Sequence, residues 1–373
     1  VIPERILIVN AGSSSLKLRV LDRADAVVAS ADLPPPRGPE DRPAVAEAVA
    51  GLGGADAVGH RIVHGGTAFL GPVRLDERVR ARIAALTSLA PLHQPKALAA
   101  LDAVSAAIPD VPAVASFDTA FHAQMPEAAA TYALPAPWRQ RWDLRRYGFH
   151  GLSHAYATRR AIELLGVPAA DLRLVTCHLG AGASLAAVRG GRSVDTTMGF
   201  TPLEGLVMAT RSGSVDPGLV LWLADHVGMP PEELASTLEH RSGLLGLAGT
   251  ADMREILAGA GSGDERARLA LDVYLHRLRR EIAAMTASLG GLDALVFTGG
   301  VGERSAPVRA MAAEGLAYLG ITVDAARNAA DEAGDREIGA PGAAVRTLVI
   351  ASREDVQIAA DVRRVIDGRG GQA

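Results

Sequence analysis

Asn10-Ala11-Gly12-Ser13-Ser14-Ser15-Leu16-Lys17 is preceded by the apolar run Ile6-Leu7-Ile8-Val9 and continues as an alternating stretch to Val20. An apolar run, a polar glycine-bearing turn and an alternating run read as a strand hairpin at the start of a sheet. Gly12 lets the backbone approach an anion, Ser13, Ser14 and Ser15 add hydroxyl donors, and Lys17 adds a point charge, so the turn suits a phosphate. It is not a P-loop, because no Gly-Lys-Ser/Thr opens a helix. A second stretch, Leu174-Val175-Thr176-Cys177-His178-Leu179-Gly180-Ala181-Gly182-Ala183-Ser184-Leu185, repeats the order of apolar strand, polar residue, glycine, small residues and leucine, with one residue inserted. The chain therefore reads as duplicated, with a turn of this kind in each half.

The 373 residues suffice for two domains, and apolar content is ample for a core in each. A net charge of −4 offers no basic excess for a nucleic-acid backbone or an anionic membrane, so neither partner is expected. The single cysteine, Cys177, has no intrachain disulfide partner, and no leader pattern opens the sequence, so a cytosolic location is expected. Apolar stretches such as Leu219 to Ala224 are stopped by charge at Asp225, far short of a bilayer span.

Residues 33–43 are rich in proline and charge and read as a surface loop. Val79, Ile83, Leu86 and Leu89 recur at helical spacing up to Pro91, which predicts an amphipathic helix leading into Pro91-Leu92-His93-Gln94-Pro95. Leu271, Leu275, Leu278, Ile282, Met285 and Leu289 predict a long core-facing helix opened by Asp264 and closed by Gly290. Ala294-Leu295-Val296-Phe297 then reads as a buried strand running into the glycine turn Thr298-Gly299-Gly300-Val301-Gly302-Glu303. This is α/β wiring with a third candidate ligand turn.

Four short segments add histidines, arginines and one carboxylate: Gly59-His60-Arg61-Ile62-Val63-His64-Gly65-Gly66, Pro91-Leu92-His93, Phe117-Asp118-Thr119-Ala120-Phe121-His122 and Arg145-Arg146-Tyr147-Gly148-Phe149-His150-Gly151-Leu152-Ser153-His154. Ten histidines in the whole chain make that clustering a pointer to a site. Zinc is the competing explanation, but the histidines lack the helical His-x-x-x-His pairing with acids that a zinc site uses.

These strings, with Cys177-His178-Leu179-Gly180, Met198-Gly199-Phe200-Thr201-Pro202-Leu203-Glu204-Gly205, Thr210-Arg211-Ser212-Gly213 and Phe297 to Glu303, resemble the motif series of the acetate kinase family, in its order and over nearly the whole chain. The resemblance implies an α/β fold of two ribonuclease-H-like domains of the actin/Hsp70 ATPase type around a nucleotide cleft. Residues 1–121 with 356–373 would form the N-terminal domain and 122–355 the C-terminal nucleotide-binding domain. A homodimer is implied as well.

Carried over position by position, the resemblance implies catalytic roles for Arg61, Asp118, His150 and Arg211, supported by His93 and His178. Arg61, Val63, Leu92, Phe149 and Pro202 would bind the substrate. Ser13, Ser15, Lys17, His178, Leu179, Gly180, Ala181, Gly182, Asp252, Met253, Arg254, Gly300, Val301, Gly302 and Arg304 would line the nucleotide. Asn10 and Glu354 would attend a magnesium or manganese ion. The sequence departs from the family pattern at three of these positions. Ala181 stands where an Asn donor is usual, Arg304 where Asn follows Gly-Ile-Gly-Glu, and Met253 where an aromatic residue packs on the base.

The implied reaction is reversible phosphoryl transfer from ATP to acetate. A carboxylate acceptor is ionised at neutral pH and needs no general base, so the chemical problem is to bring an anion to a polyphosphate. Two arginines and a histidine suit that task. Propionate or butyrate as the acceptor is the near alternative, and an actin- or Hsp70-like ATPase is the alternative from another class.

Overall fold

The computed structural model describes residues 3–12, 15–36, 38–91, 93–330 and 334–368, so Ser13 and Leu92 lie outside the described residues. The chain divides into two compact units. The first comprises Val1–Ala123, Phe149–Tyr156 and Arg353–Ala373, and the second comprises Gln124–Gly148 and Ala157–Ser352. Among the described residues no helix is long and apolar enough to cross a membrane.

The first unit is built on a six-stranded mixed sheet. Its strands are β1 (Ile6–Ala11), β2 (Leu16–Leu21), β3 (Val27–Leu33), β4 (Ala57–Ile62), β5 (Val73–Arg74) and β6 (Ala113–Phe117), in the order β3-β2-β1-β4-β6-β5. The expected hairpin is β1 and β2, paired antiparallel with Asn10 opposite Lys17. β4 lies parallel to both β1 and β6. Leu7, Val9, Leu16, Leu18, Val20 and Val58 pack on one face against Val45 and Val49 of the helix Arg42–Gly51 and Val104 of the helix Gln94–Ala107. Alternate strand residues supply that core because side chains leave a strand on opposite faces in turn. The proline-rich segment 33–43 holds the end of β3, the short 3-10 turn Pro39–Asp41 and the first residues of the helix after it.

The second unit repeats the scheme with β7 (Arg173–Leu179), β8 (Ala183–Arg189), β9 (Arg192–Thr196), β10 (Ala294–Thr298), β11 (Arg336–Glu337) and β12 (Arg346–Val349), in the order β11-β12-β10-β7-β8-β9. Read from the other edge this is the first sheet again: three antiparallel strands in sequence, two parallel strands, then a two-residue antiparallel edge strand. The duplication expected from the two turns therefore extends to whole sheets, and each unit has the ribonuclease-H-like arrangement of the actin/Hsp70 class.

The helix Glu265–Leu289 is the long helix expected. Asp264 accepts from the backbone N–H of Arg266 and Ala267 at its start, and Gly290 ends it in the left-handed region at φ 68°. Leu271, Leu275, Leu278, Ile282, Met285 and Leu289 are all buried. Two local expectations change. The helix carrying Val79 and Ile83 stops at Ala84, and Leu89 falls in the separate 3-10 turn Thr87–Leu89. Thr87 donates its hydroxyl to the Ala84 carbonyl and so satisfies the helix end before Pro91 is reached. The glycine turn after β10 is shorter than expected, because the helix Gly299–Arg304 begins at once.

Candidate active site

In the first unit the sheet carries Asn10 at the end of β1, Arg61 near the end of β4 and Asp118 just beyond β6, while Glu354 opens the helix Glu354–Ile366. Gly59 makes the last of these possible. A Cβ there would stand 2.4 Å from Cγ2 of Ile358 and 2.9 Å from Cγ2 of Val362, so glycine lets the C-terminal helix lie close on β4. Arg61, two residues on, leaves the strand on the same face.

Arg61 donates from Nη2 to Oδ2 of Asp118 at 2.7 Å and from Nε to both carboxylate oxygens at 3.1 and 3.2 Å. Its Nη1 donates to Oδ1 of Asn10 at 3.1 Å and lies 3.4 Å from Oε2 of Glu354. Asn10 in turn donates Nδ2 to Oε2 of Glu354 at 3.3 Å. Three residues spread over more than 340 positions of sequence thus meet around the Arg61 guanidinium, and 17% of that side chain remains exposed. Burial works against the Arg61 charge, but Asp118 and Glu354 outweigh it and hold its pKa above the ordinary value. Asp118 is buried, and burial raises its carboxyl above the usual range against the pull of Arg61. A bidentate carboxylate on a buried guanidinium fixes the plane of the fork.

Asn10 and Glu354 also fit the hard cation assigned to them. Magnesium takes oxygen ligands, typically one or two from protein with the rest from water and phosphates, and an amide oxygen beside a carboxylate is such a set. Among the described residues no cluster of three or more His, Cys, Asp or Glu forms a metal cage of its own.

His150 immediately precedes the helix Gly151–Leu165 and has φ 56°, unusual for a residue with a side chain. Three hydrogen bonds hold it there. Gly151 donates its N–H to the Asp118 carbonyl at 2.9 Å, His154 donates its N–H to the His150 carbonyl at 2.9 Å, and His122 donates Nε2–H to the Phe149 carbonyl at 3.1 Å. Phe149 is buried with its ring edge-on to His64 at 5.4 Å. His122 and His64 carried no assigned role from the sequence, yet they form the bed under Phe149 and His150. Burial lowers His60, His64 and His122 to a pKa of about 4 each, so all three are neutral at pH 7. The neutral His64 accepts the Gly66 N–H at Nδ1 at 2.9 Å. Much of the histidine clustering is therefore packing.

Of the other first-unit candidates, Val63 is buried and follows β4, and His93 precedes the helix Gln94–Ala107. Lys17 is exposed on β2, opposite Asn10 on one side and Asp32 of β3 on the other. Ser15 helps close the turn between β1 and β2 by accepting the Gly12 N–H at its carbonyl, 2.9 Å away.

In the second unit His178 to Gly182 and Gly300 to Arg304 stand at the ends of β7 and β10, whereas Asp252, Met253 and Arg254 lie on a separate helix. His178 pairs with Ser184 of β8 and Thr298 of β10, and Gly180, Ala181 and Gly182 form the β7–β8 turn, closed by Gly180 N–H to the Gly182 carbonyl at 2.9 Å. Gly300, Val301 and Gly302 lie in the helix Gly299–Arg304, whose first residue sits against the backbone of Leu179. The β7–β8 turn is tied to Arg211 by its neighbours: Ala209 donates to the Ala181 carbonyl, and Met208 donates to the Arg211 carbonyl, each at 3.1 Å. Arg211 directs Nη1 to the Pro202 carbonyl at 3.0 Å, and burial lowers its pKa. Asp252 caps the helix Met253–Ser262 and pairs with Arg254, while Met253 is buried. Arg304 borders a cavity of about 730 Å³ that is also lined by Arg309, Asn328 and Arg336.

A family model described as the Acetokinase family matches residues 47–360. The chain belongs to the acetokinase family. It is 42% identical to the acetate kinase of Shouchella clausii over 97% of this chain and 99% of that protein, and 44% identical to the acetate kinase of Streptomyces coelicolor over 98% of each. Among solved structures, the Porphyromonas gingivalis acetate kinase superposes with a TM-score of 0.90 at 34% identity, covering 97% of this chain and all of the other. A propionate kinase from Francisella tularensis superposes with a TM-score of 0.89, also at 34% identity and with the same coverage. For a member of this family the Arg61–Asp118 pair and the Arg211 loop are the features to explain chemically.

Proposed function

We propose that this protein transfers a phosphoryl group reversibly between ATP and acetate, giving acetyl phosphate and ADP by direct in-line transfer. The observation that carries the reading is Arg61, presented by β4 with its fork set by Asp118 and flanked by Asn10 and Glu354.

A simple carboxylic acid has a pKa of about 4 to 5 and is ionised at pH 7, so the acceptor oxygen is already nucleophilic. The barrier is repulsion between two anions and the negative charge on the equatorial oxygens of the transferring group. In this reading Arg61 binds the acetate carboxylate, Val63, Leu92, Phe149 and Pro202 surround the methyl group, and Arg211 and His150 stabilise the transferring phosphoryl group. Asp118 positions Arg61 and is no general base, because its oxygens are committed to the guanidinium. His93 and His178 support these groups. Ser13, Ser15, Lys17 and Arg304, with the turns at Gly180–Gly182 and Gly300–Gly302, hold the phosphates, and Asp252, Met253 and Arg254 the nucleoside. Asn10 and Glu354 would hold the magnesium, which when bound neutralises phosphate charge.

A cytoplasmic homodimer belongs to the same proposal. The exposed apolar side chains of the helix Pro217–Asp225, Leu219 (48% exposed), Leu221 (64%) and Trp222 (50%), support a second copy covering that face.

The test is acyl phosphate formation from acetate and ATP, trapped as the hydroxamate, in the parent and in Arg61→Ala and Arg211→Ala. Turnover should fall by orders of magnitude in both variants while each stays folded, and near-parental turnover in either would overturn the reading. Propionate is the second reading, favoured by the likeness to the Francisella tularensis propionate kinase. One methylene changes kcat/KM by roughly 1–3 kcal/mol, so kcat/KM for acetate, propionate and butyrate decides between them.

A further inference from the structure

Tyr132, outside every motif that points to the site, anchors a polar network in the second unit. Its hydroxyl donates to Oε2 of Glu204 at 2.6 Å and accepts the Phe200 N–H at 2.9 Å. Arg146 lies over the Tyr132 ring, 5.6 Å from its centroid, and donates Nη2 to Oε1 of Glu204 at 2.7 Å. The same guanidinium donates Nη1 to the carbonyls of Thr197 and Met198 at 3.2 and 3.0 Å. The next carbonyl, that of Gly199, accepts from Tyr147 N–H at 3.0 Å and Gly148 N–H at 3.3 Å. Four consecutive residues, 197–200, are thus held by their backbone from one cluster.

That segment leads directly to Pro202, whose carbonyl accepts from Arg211 Nη1 at 3.0 Å. Its far end is fastened to the Arg211 loop, since Gly205 donates its N–H to the Ser214 hydroxyl at 3.0 Å and Ser214 returns its N–H to the Gly205 carbonyl at 3.1 Å. Nothing else in the described hydrogen bonding accepts from the Arg211 guanidinium except the Met208 sulfur at 3.5 Å. A long side chain with one firm anchor is aimed by that anchor.

We propose that Tyr132 and Glu204, with Arg146, are positioning residues for phosphoryl transfer: they fix segment 197–205 so that the Pro202 carbonyl orients Arg211 and Pro202, assigned above to the acyl group, keeps its position. This rests on the acetate kinase reading. A charged carboxylate shared between a phenol and a guanidinium is suited to the task, because the charge-assisted bonds on both sides resist displacement of the loop.

The experiment compares Tyr132→Phe, Glu204→Gln, Glu204→Ala and the Tyr132→Phe/Glu204→Gln double variant with the parent, reading kcat, KM for acetate and for ATP, the acetate-to-propionate ratio of kcat/KM, and Tm. Tyr132→Phe is expected to lower kcat about tenfold and to shift the acid ratio, with KM for ATP within about twofold of the parent. Glu204→Gln, which still accepts from the phenol, should retain more activity than Glu204→Ala. The double variant should lose less than the product of the single losses, since both act on one network. The proposal is overturned if Tyr132→Phe and Glu204→Gln keep kcat and the acid ratio within twofold, or if both KM values, kcat and Tm decline together as in general destabilisation. An active Arg211→Ala would instead remove the parent reading, so the two failures are distinguishable.

Discussion

The Gly151 N–H donates to the Asp118 carbonyl at 2.9 Å, and a Cβ on Gly151 would lie 2.1 Å from that oxygen. The contact joins the residue that orients Arg61 to the residue that follows His150. Gly151→Ala must push the two backbones apart, which breaks the bond and moves His150 from its held position at φ 56°. Overpacking of this kind costs about 1–3 kcal/mol, and kcat should fall by tenfold or more. The control is Gly261→Ala, a glycine with nothing within 4 Å of a built Cβ, inside the helix Met253–Ser262. It should leave kcat unchanged and raise stability by roughly 0.5–1 kcal/mol. Equal kinetics for the two variants would show that the Asp118–Gly151 contact does not set the geometry.

Asp118→Asn tests positioning against general-base catalysis. The amide keeps an oxygen acceptor for Arg61 but removes the charge and places an NH2 group where an acceptor stood, so the three bonds from Nε and Nη2 are no longer all possible. The expected result is a loss in kcat of about 10²-fold, equivalent to about 3 kcal/mol, with KM for ATP little altered. If Asp118 positions rather than deprotonates, the residual rate in Asp118→Asn should follow the same pH profile as the parent above pH 6. An acid-limb pKa, where activity rises as a base loses its proton, that is present in the parent and vanishes in the variant would contradict this role.

Three buried histidines make stability depend on pH. His60, His64 and His122 have folded pKa values of about 4 against 6.5 for a free imidazole. A depressed histidine pKa means that the unfolded chain binds more protons between those values, so stability rises with pH there. The contribution is fully present above about pH 6.5 and is lost as pH falls toward 4, each group accounting for an order of 3 kcal/mol. The Tm should therefore fall steeply between pH 6.5 and 5. His60→Leu should flatten that dependence, because among the described residues the buried Nε2 of His60 has no hydrogen-bond partner that its removal would strand. An unchanged slope in this variant would mean that His60 is solvated.

The strand-turn repeat at 6–17 and 174–185 carried much of the fold, because an apolar run broken by one glycine turn has few other structural meanings; the two sheets with the same strand order are its consequence. The helix Glu265–Leu289 was legible for a similar reason, with spacing, cap and terminating glycine all agreeing. The site was less legible in two respects. His60 and Arg61 are neighbours in sequence, but a strand sends them to opposite faces, so a histidine beside the key arginine is core. Asp118 has no local ion-pair partner, and its true partner, Arg61, lies 57 residues away, where only the parallel pairing of β4 and β6 brings them together. Tyr132 carries no pattern at all, because its hold on Phe200 is a tertiary contact 68 residues away in sequence.

The departures at Ala181 and Arg304 make a final prediction about nucleotide binding. Ala181 is exposed in the β7–β8 turn, and Arg304 ends the helix that starts beside Leu179, so both stand at the ends of the neighbouring strands β7 and β10. The family pattern places an amide donor at each position. Ala181→Asn adds one such donor, and a single hydrogen bond to a charged phosphate is worth about 1.5–3 kcal/mol when well made, less when exposed. The expected result is a KM for ATP lowered by roughly 3–10-fold at unchanged kcat. Arg304→Asn alone should raise KM for ATP, because a cation is exchanged for a neutral donor while position 181 still lacks one. The double variant should return KM to the parental value or below, since its two amides together replace what the arginine supplies by charge. The same comparison at raised ionic strength separates the two means of binding: a point charge on an exposed arginine is screened by salt, whereas a directed amide hydrogen bond is much less so. The parent should therefore lose ATP affinity with salt more steeply than the double variant, and equal salt dependence would exclude Arg304 as the substitute donor.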